Sequence, residues 1–183
     1  MHSMLRRALS GVFVLALFLS TGQRTAQAAQ IVPSVGLSQS VDGDNSRMTL
    51  GLALRQSIAP RVQAELQVAH RSEEMSFYGQ AVTMRTIPLT ASVWVSPVPM
   101  FYVGGGVGVY AEAVEFENNL FPASSENEFG AHLGGGMKFS MTPMLGLDLQ
   151  GRYVFLGEQS SQLSSGTFNP SFWSAAAGLV IGF

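Results

Sequence analysis

The chain has 183 residues, no cysteine, 20 glycines and a charged fraction of only 12%, with a formal net charge of −2. Its length fits a single domain, its slightly acidic balance argues against a nucleic-acid-binding surface, and the lack of cysteine excludes a fold held by disulfides.

The first 28 residues predict a cleaved secretory signal peptide. Arg6 and Arg7 precede an apolar run over 8–19, and Ala26-Gln27-Ala28 has the small-residue spacing of a cleavage site. A membrane anchor is the alternative, but the run has about 12 residues against the roughly 20 of a spanning helix. Cleavage would leave 10 − 3 = 7 basic and 12 acidic residues, so the exported domain would carry a net charge of −5.

Residues 29–183 predict one β-domain, because their dominant hydrophobic period is two rather than 3.6. Turn signals divide this domain into eight strands, at about 31–41, 47–58, 62–72, 81–96, 100–115, 128–141, 144–156 and 171–183. The second, fourth and sixth connections are short, and the others are long and polar. Short turns alternating with long loops are typical of outer-membrane barrels, with the short turns in the periplasm. The predicted fold class is all-β: an eight-stranded antiparallel up-and-down transmembrane β-barrel.

The predicted strands have one apolar face and one polar or small face. In the second strand the apolar face carries Met48, Leu50, Leu52 and Leu54, and the opposite face carries Thr49, Gly51 and Arg55. A soluble lipocalin-type barrel would place its apolar residues inside, so a charged inner face favours a barrel whose outer face meets lipid. Alternation alone also fits a soluble β-sandwich, which remains the alternative fold.

Aromatic residues on the apolar face mark two levels of the predicted barrel. Phe129 and Phe139 are ten residues apart in sequence, as are Trp173 and Phe183. Ten residues of a tilted strand climb about 25 Å, which is the height of the apolar band of an outer-membrane barrel. The sequence therefore predicts one aromatic girdle beside the short turns and one beside the long loops, formed by Phe101, Phe139 and Phe183 and by Phe129, Phe155 and Trp173, respectively.

Four segments resemble the eight-stranded outer-membrane β-barrels related to the OmpA transmembrane domain, often described as outer-membrane beta-barrel or porin-family proteins: FYVGGGVGVY, FGAHLGGGMKF, TPMLGLDLQGRYVF and AAAGLVIGF. The resemblance covers nearly all of residues 30–183. It implies a Gram-negative cell-envelope protein that contacts outer-membrane lipid and lipopolysaccharide. It also implies insertion by the barrel-assembly machinery, whose recognition signal Phe183 resembles. We expect a monomer with no peptidoglycan-binding domain, and the sequence does not identify a loop ligand.

The inward face carries charges that balance to zero, namely Arg55, Lys138 and Arg152 against Glu65, Glu112 and Asp148. An unpaired charge inside the barrel would cost several kcal/mol, so we expect ion pairs. Counting back from the short turns places Arg55 opposite Glu65, Lys138 opposite Asp148, and Gly134 opposite Arg152. Because eight strands enclose only enough space for side chains, these pairs predict a structural plug. A polar channel or a switchable gate is the alternative.

The glycine-rich stretches GGGVG and LGGGM look like phosphate-binding loops, but they lie inside strands and no helix follows them. No cofactor is therefore expected. Their inward glycines are predicted to make room for large side chains on the opposite wall of the barrel, and they are Gly104, Gly106, Gly108, Gly134 and Gly136.

No catalytic residue is expected. His132 faces inward and is predicted to hydrogen-bond within the interior charges. His70 and Ser72 share the outer face of the third strand and resemble the His-x-Ser pair of lipid A deacylases, which leaves a lipid-modifying enzyme as an alternative. The motif that surrounds this pair in those enzymes, including the acidic partner at its usual spacing, is missing here.

Nine acidic residues lie in or beside the predicted loops: Asp42, Asp44, Glu73, Glu74, Glu115, Glu117, Glu126, Glu128 and Glu158. They are expected to keep the loops solvated, with divalent-cation bridging to lipopolysaccharide as the alternative. The stretch 42–45 lacks the downstream carboxylate of a calcium loop and predicts a turn, so no metal site is expected. The predicted function is a non-enzymatic barrel with a structural or surface-interaction role, and a narrow channel is the first alternative.

Overall fold

The structure is a computed structural model that describes residues 29–41, 46–77, 80–116, 125–156, 159–160, 167–168 and 171–183. Its strands are β1 (Ala29–Ser40), β2 (Arg47–Ala59), β3 (Val62–Phe77), β4 (Gln80–Val98), β5 (Phe101–Phe116), β6 (Ser125–Ser140), β7 (Leu145–Leu156), β8 (Gln159–Ser160), β9 (Thr167–Phe168) and β10 (Phe172–Gly182). The predicted signal peptide lies outside the described residues. In the part of the chain that the structure describes, no helix is long and apolar enough to cross a membrane.

Eight strands close into one antiparallel barrel in the order β1-β10-β7-β6-β5-β4-β3-β2. The seam between β1 and β10 completes the closure, and the terminal Phe183 N–H donates to the carbonyl of Ala29 at 3.1 Å. The predicted fold class and strand number are therefore confirmed. The two-stranded sheet of β8 and β9, in the connection between β7 and β10, was not predicted.

The hairpins extend further toward the long-loop end than the sequence pattern predicts. The third connection was expected to be a polar loop, but β3 and β4 stay paired out to Phe77 and Gln80. Likewise β6 begins at Ser125 rather than near residue 128. The pattern fails here because backbone pairing can continue after apolar alternation has ended: polar strands satisfy the same ladder hydrogen bonds.

One line of paired residues winds around the barrel and ends above its starting point. From Gln30 the successive partners are Arg55, Glu65, Ser92, Gly106, His132, Val154 and Phe172, and the line returns to β1 at Ser40. The offset along β1 is thus ten residues. This stagger fixes strand tilt and barrel width together, and it brings inward residues of several strands into one interior layer.

The apolar and polar faces of the strands point outward and inward, respectively, as predicted. Outward side chains such as Leu50, Leu52 and Leu89 are exposed, whereas inward polar side chains such as Glu65, Thr90 and Ser92 are buried. Large apolar side chains therefore cover the outer surface of the barrel, and the charged side chains of the ion pairs lie in its interior.

The inward glycines leave space for the backbone and the side chains of neighbouring strands, whereas the prediction was space for side chains of the opposite wall. A Cβ on Gly104 would lie 2.9 Å from the Trp94 ring, and one on Gly136 would lie 2.5 Å from the Tyr102 ring. A Cβ on Gly134 would lie 3.1 Å from the side chain of Arg152. The large inward side chains thus lean sideways along the wall, because each glycine leaves the adjacent strand without a side chain to meet them.

Candidate functional site

The barrel interior contains a cluster of buried ion pairs that joins opposite walls. Arg55 Nε donates to Glu65 in a short contact, and Arg55 Nη2 donates to Asp148 at 2.8 Å. Arg152 lies on the opposite wall from Glu65, and its Nη2 donates to the second carboxylate oxygen of Glu65 at 2.5 Å. Glu65 is 0% exposed, so each of its oxygens is satisfied by a guanidinium rather than by solvent. Two cations and two anions are brought together, as the inward parity predicted.

Two aromatic side chains complete this cluster, and the sequence analysis missed both. The Tyr102 hydroxyl donates to the two oxygens of Asp148 at 2.8 and 3.0 Å. Trp94 packs edge-on against Tyr102 with ring centroids 5.4 Å apart, and the Arg152 guanidinium lies 5.2 Å above the Trp94 ring. The sequence could have indicated both residues, because Trp94 lies on the same strand face as Ser92, and Tyr102 lies on the same strand face as Gly104. We call these six residues the interior network: Arg55, Glu65, Trp94, Tyr102, Asp148 and Arg152.

The predicted pairing of Lys138 with Asp148 is right in register and wrong in contact. The two residues are Cα partners across β6 and β7. However, the Lys138 ammonium donates to Gln30 Oε1 at 2.8 Å, and among the described side chains it forms no ion pair with Asp148. Asp148 already accepts from Arg55 and Tyr102, which occupy its oxygens. The Glu112 side chain, also predicted in the network, lies outside the described residues.

Apolar clusters lie on both sides of the interior network. Val32, Ala53 and Val180 form the cluster nearer the short turns. Toward the long loops, Tyr110, Val154 and Phe172 form the second cluster. The Arg71 guanidinium lies 4.7 Å above the Phe172 ring, whose edge meets Tyr110 at 6.1 Å between centroids. We call Arg71, Tyr110 and Phe172 the cap, and the sequence pattern did not single it out.

A small chamber lies between the cap and the interior network. Its volume is about 60 Å³, and it is lined at one end by the cap and at the other by His132, Gln150 and Arg152. His132 faces inward as predicted, but its Nε2 lies 2.9 Å from the Ser92 hydroxyl and not against one of the interior charges. Gln150 Oε1 accepts from Arg152 Nε and Nη2 at 3.0 and 2.7 Å, which fixes the orientation of the amide.

The aromatic residues predicted as girdles all lie on the outer surface. Phe101, Phe129, Phe155, Trp173 and Phe183 are exposed, and Phe139 is half-buried. Those predicted beside the long loops and those beside the short turns sit toward opposite ends of their strands. The girdle and assembly-signal roles remain predictions, since position alone does not test them.

The alternatives built on histidine and metal chemistry gain little from the structure. His70 is exposed on the outer wall as the partner of Leu50, and the Ser72 side chain lies outside the described residues. Across the described ranges, no three His, Asp or Glu side chains form a group that could hold a metal ion. The four charged residues of the interior network are instead paired with one another.

Neither a protein-family model nor a curated protein matches this sequence. Solved structures do resemble it. Neisserial surface protein A has 13% identity and a TM-score of 0.59, with 87% of this chain and 98% of that one covered. A major outer membrane protein from Thermus thermophilus has 13% identity and a TM-score of 0.62, covering 87% and 100%. Ail, the attachment invasion locus protein of Yersinia pestis, in complex with the heparin analogue sucrose octasulfate, has 14% identity and a TM-score of 0.56, covering 86% and 97%. The chain has the fold of the eight-stranded outer-membrane β-barrels.

Proposed function

We propose that residues 29–183 form a non-enzymatic, non-conducting integral outer-membrane barrel that acts in envelope structure or through surface contacts of its loops. The observation that carries this proposal is the filled interior. The apolar cluster nearer the short turns, the interior network and the cap follow one another along the barrel. The network includes an ion pair between opposite walls. A bore filled in this way leaves the outer surface and the loops to interact with other molecules.

The outer-membrane location rests on the character of the wall. Leucines and valines on the outer face are about half exposed, which would favour aggregation in water but suits a lipid environment. Residues 1–28 would direct export and then be removed. Phe183, which is exposed at the short-turn end, would face the inner interface of the membrane and present the assembly signal. We further propose that the barrel is a monomer in contact with lipid and lipopolysaccharide.

We propose that the loops of this chain do not bind a sulfated polyanion such as the heparin analogue in the Ail structure. The loops of this chain and their edges carry nine acidic residues, which repel a polyanion. These acidic residues are better suited to bind divalent cations that bridge to lipopolysaccharide phosphates than to bind a polyanion directly. Retention on immobilised heparin at physiological salt would contradict this part of the proposal.

Conductance of the refolded barrel in planar bilayers tests the central claim. We expect no stable open steps from the wild-type chain. A Trp94→Ala/Tyr102→Ala variant is the matched control, because it removes the two rings of the interior network while the strand pairing stays intact. Open steps in the variant alone support a filled bore, whereas open steps in the wild type would favour a narrow channel.

The absence of catalysis is tested by mass spectrometry of lipid A from cells that express the chain. We expect unchanged acylation. Loss of an acyl chain that depends on Ser72 and disappears in Ser72→Ala would instead establish a lipid A-modifying enzyme.

A further inference from the structure

Three buried polar atoms around the chamber have no hydrogen-bond partner among the residues that the structure describes. They are the Tyr110 hydroxyl, His132 Nδ1 and Gln150 Nε2, and their residues are 1%, 1% and 9% exposed. All three residues line the same chamber, although they belong to three different strands. An unsatisfied buried polar group costs about 1–3 kcal/mol. Three such groups at one cavity therefore point to a ligand that supplies the missing hydrogen bonds.

The size and lining of the chamber select the class of ligand. A buried water needs about 10–15 Å³ of cavity volume and two to four polar partners. The chamber volume of about 60 Å³ therefore has room for about four waters. Thr49, Thr90 and Ser174 add hydroxyl groups to its wall. Much of the wall is apolar, but the three unpartnered polar atoms belong to residues that line this one space, and water that has two to four polar partners can remain in it.

The charges at the network end of the chamber are matched, and the Arg71 guanidinium at the cap end donates to Ser40 Oγ at 2.9 Å and packs over the Phe172 ring. Arg55 and Arg152 are matched by Glu65 and Asp148 within the interior network, so this end of the chamber carries no surplus charge. Gln150 Oε1 is occupied by Arg152, which leaves its amide N–H groups to donate into the chamber. Water accepts from Gln150 and can both donate to and accept from Tyr110 and His132.

We propose that the chamber is a binding site for a cluster of about four ordered water molecules that bridge Tyr110, His132 and Gln150. The cap residues line this site on its long-loop side, and Arg152 lines it on the other side. The upper half of the bore is thus filled by protein and water together, whereas the interior network below is filled by side chains. This inference does not depend on the proposed function, because it concerns the chamber and not the loops or the membrane.

Urea unfolding of the refolded barrel in detergent micelles distinguishes a wet chamber from a dry one through Tyr110→Phe. In a wet chamber the hydroxyl is already satisfied, so its removal should leave the unfolding midpoint unchanged or lower it. In a dry chamber the hydroxyl is a buried cost, and its removal should raise the midpoint. Tyr102→Phe is the matched control: its hydroxyl is bonded to Asp148, so the midpoint should fall.

Nuclear magnetic resonance gives a second readout that does not depend on a variant. We expect magnetisation transfer between long-lived water and the Gln150 side-chain amide in the wild-type barrel. A raised midpoint for Tyr110→Phe, or the absence of that transfer, would overturn the proposal. Saturable shifts of the Gln150 amide on adding chloride at constant ionic strength would overturn the choice of water and indicate an anion.

Discussion

Asp148 accepts hydrogen bonds from Arg55 and Tyr102, whereas its Cα partner Lys138 turns toward Gln30. We therefore expect two double-mutant cycles to differ. Arg55→Ala with Asp148→Ala should show a coupling energy of about 0.5–3 kcal/mol, because both residues belong to one buried network. Lys138→Ala with Asp148→Ala should be closer to additive. Urea unfolding of the refolded barrels measures both, and a larger coupling for the Lys138 cycle would contradict the observed contacts.

Gly136 and Gly151 lie on neighbouring strands but differ in the space around them. A Cβ on Gly136 would lie 2.3 Å from the Leu149 backbone oxygen and 2.5 Å from the Tyr102 ring, whereas the nearest atom to a Cβ on Gly151 is 3.9 Å away. Gly136→Ala should therefore displace Tyr102 from Asp148 and destabilise the barrel by about 1–3 kcal/mol, the usual cost of overpacking. Gly151→Ala, as the control, should stay within about 0.5 kcal/mol of the wild type. Equal unfolding midpoints for the two variants would show that neither the Leu149 backbone nor Tyr102 fills this space.

At the scale of the strand, β2 offers a test of the proposed membrane position. Leu52 lies near the middle of β2 and Met48 near its long-loop end, and both are exposed on the outer wall. In a bilayer, Leu52→Arg should cost about 2–4 kcal/mol and Met48→Arg only about 0–1 kcal/mol. Unfolding from lipid vesicles measures the difference. A soluble barrel would tolerate both substitutions equally, and that outcome would remove the membrane proposal.

The sequence predicted the eight strands and the inward faces well, because both follow from a period of two. Turn lengths also fixed the pairing of Arg55 with Glu65 across β2 and β3. The contact of Lys138 could not be predicted in this way, because its partner Gln30 is on β1 and Lys138 is on β6. Strands β7 and β10 lie between them, so the two residues come together only when the barrel closes. The cap could not be predicted from the sequence for the same reason, because Arg71 and Phe172 meet across the seam and not across a local turn.

For the whole molecule, closure at the seam of β1 and β10 is the property on which the filled interior depends. Leu37 and Ala175 are Cα partners there, and the chain has no cysteine of its own. Cross-strand partners lie about 4.5–5.5 Å apart, within the range that a disulfide spans. On oxidation, Leu37→Cys/Ala175→Cys should therefore lose both alkylatable thiols.

The control for this seam pairs Leu37→Cys with Ile181→Cys. Ile181 is the partner of Ile31 and lies well along β10 from Ala175, so its thiol should remain reactive in the folded barrel. Equal alkylation of the two double variants would mean that the seam is open or that its register differs.

The ten-residue offset between Gln30 and Ser40 makes the bore mechanically inflexible. To widen, a strand would have to slide along its neighbour, and a slide of one residue would turn its charged side chains outward. A slide of two residues preserves the faces but breaks the whole ladder of that seam at once. Gradual dilation is therefore unavailable to this wall. Any transient opening must come from rotation of inward side chains within a fixed diameter, so it should respond to substitutions inside the barrel and be indifferent to lateral tension in the membrane.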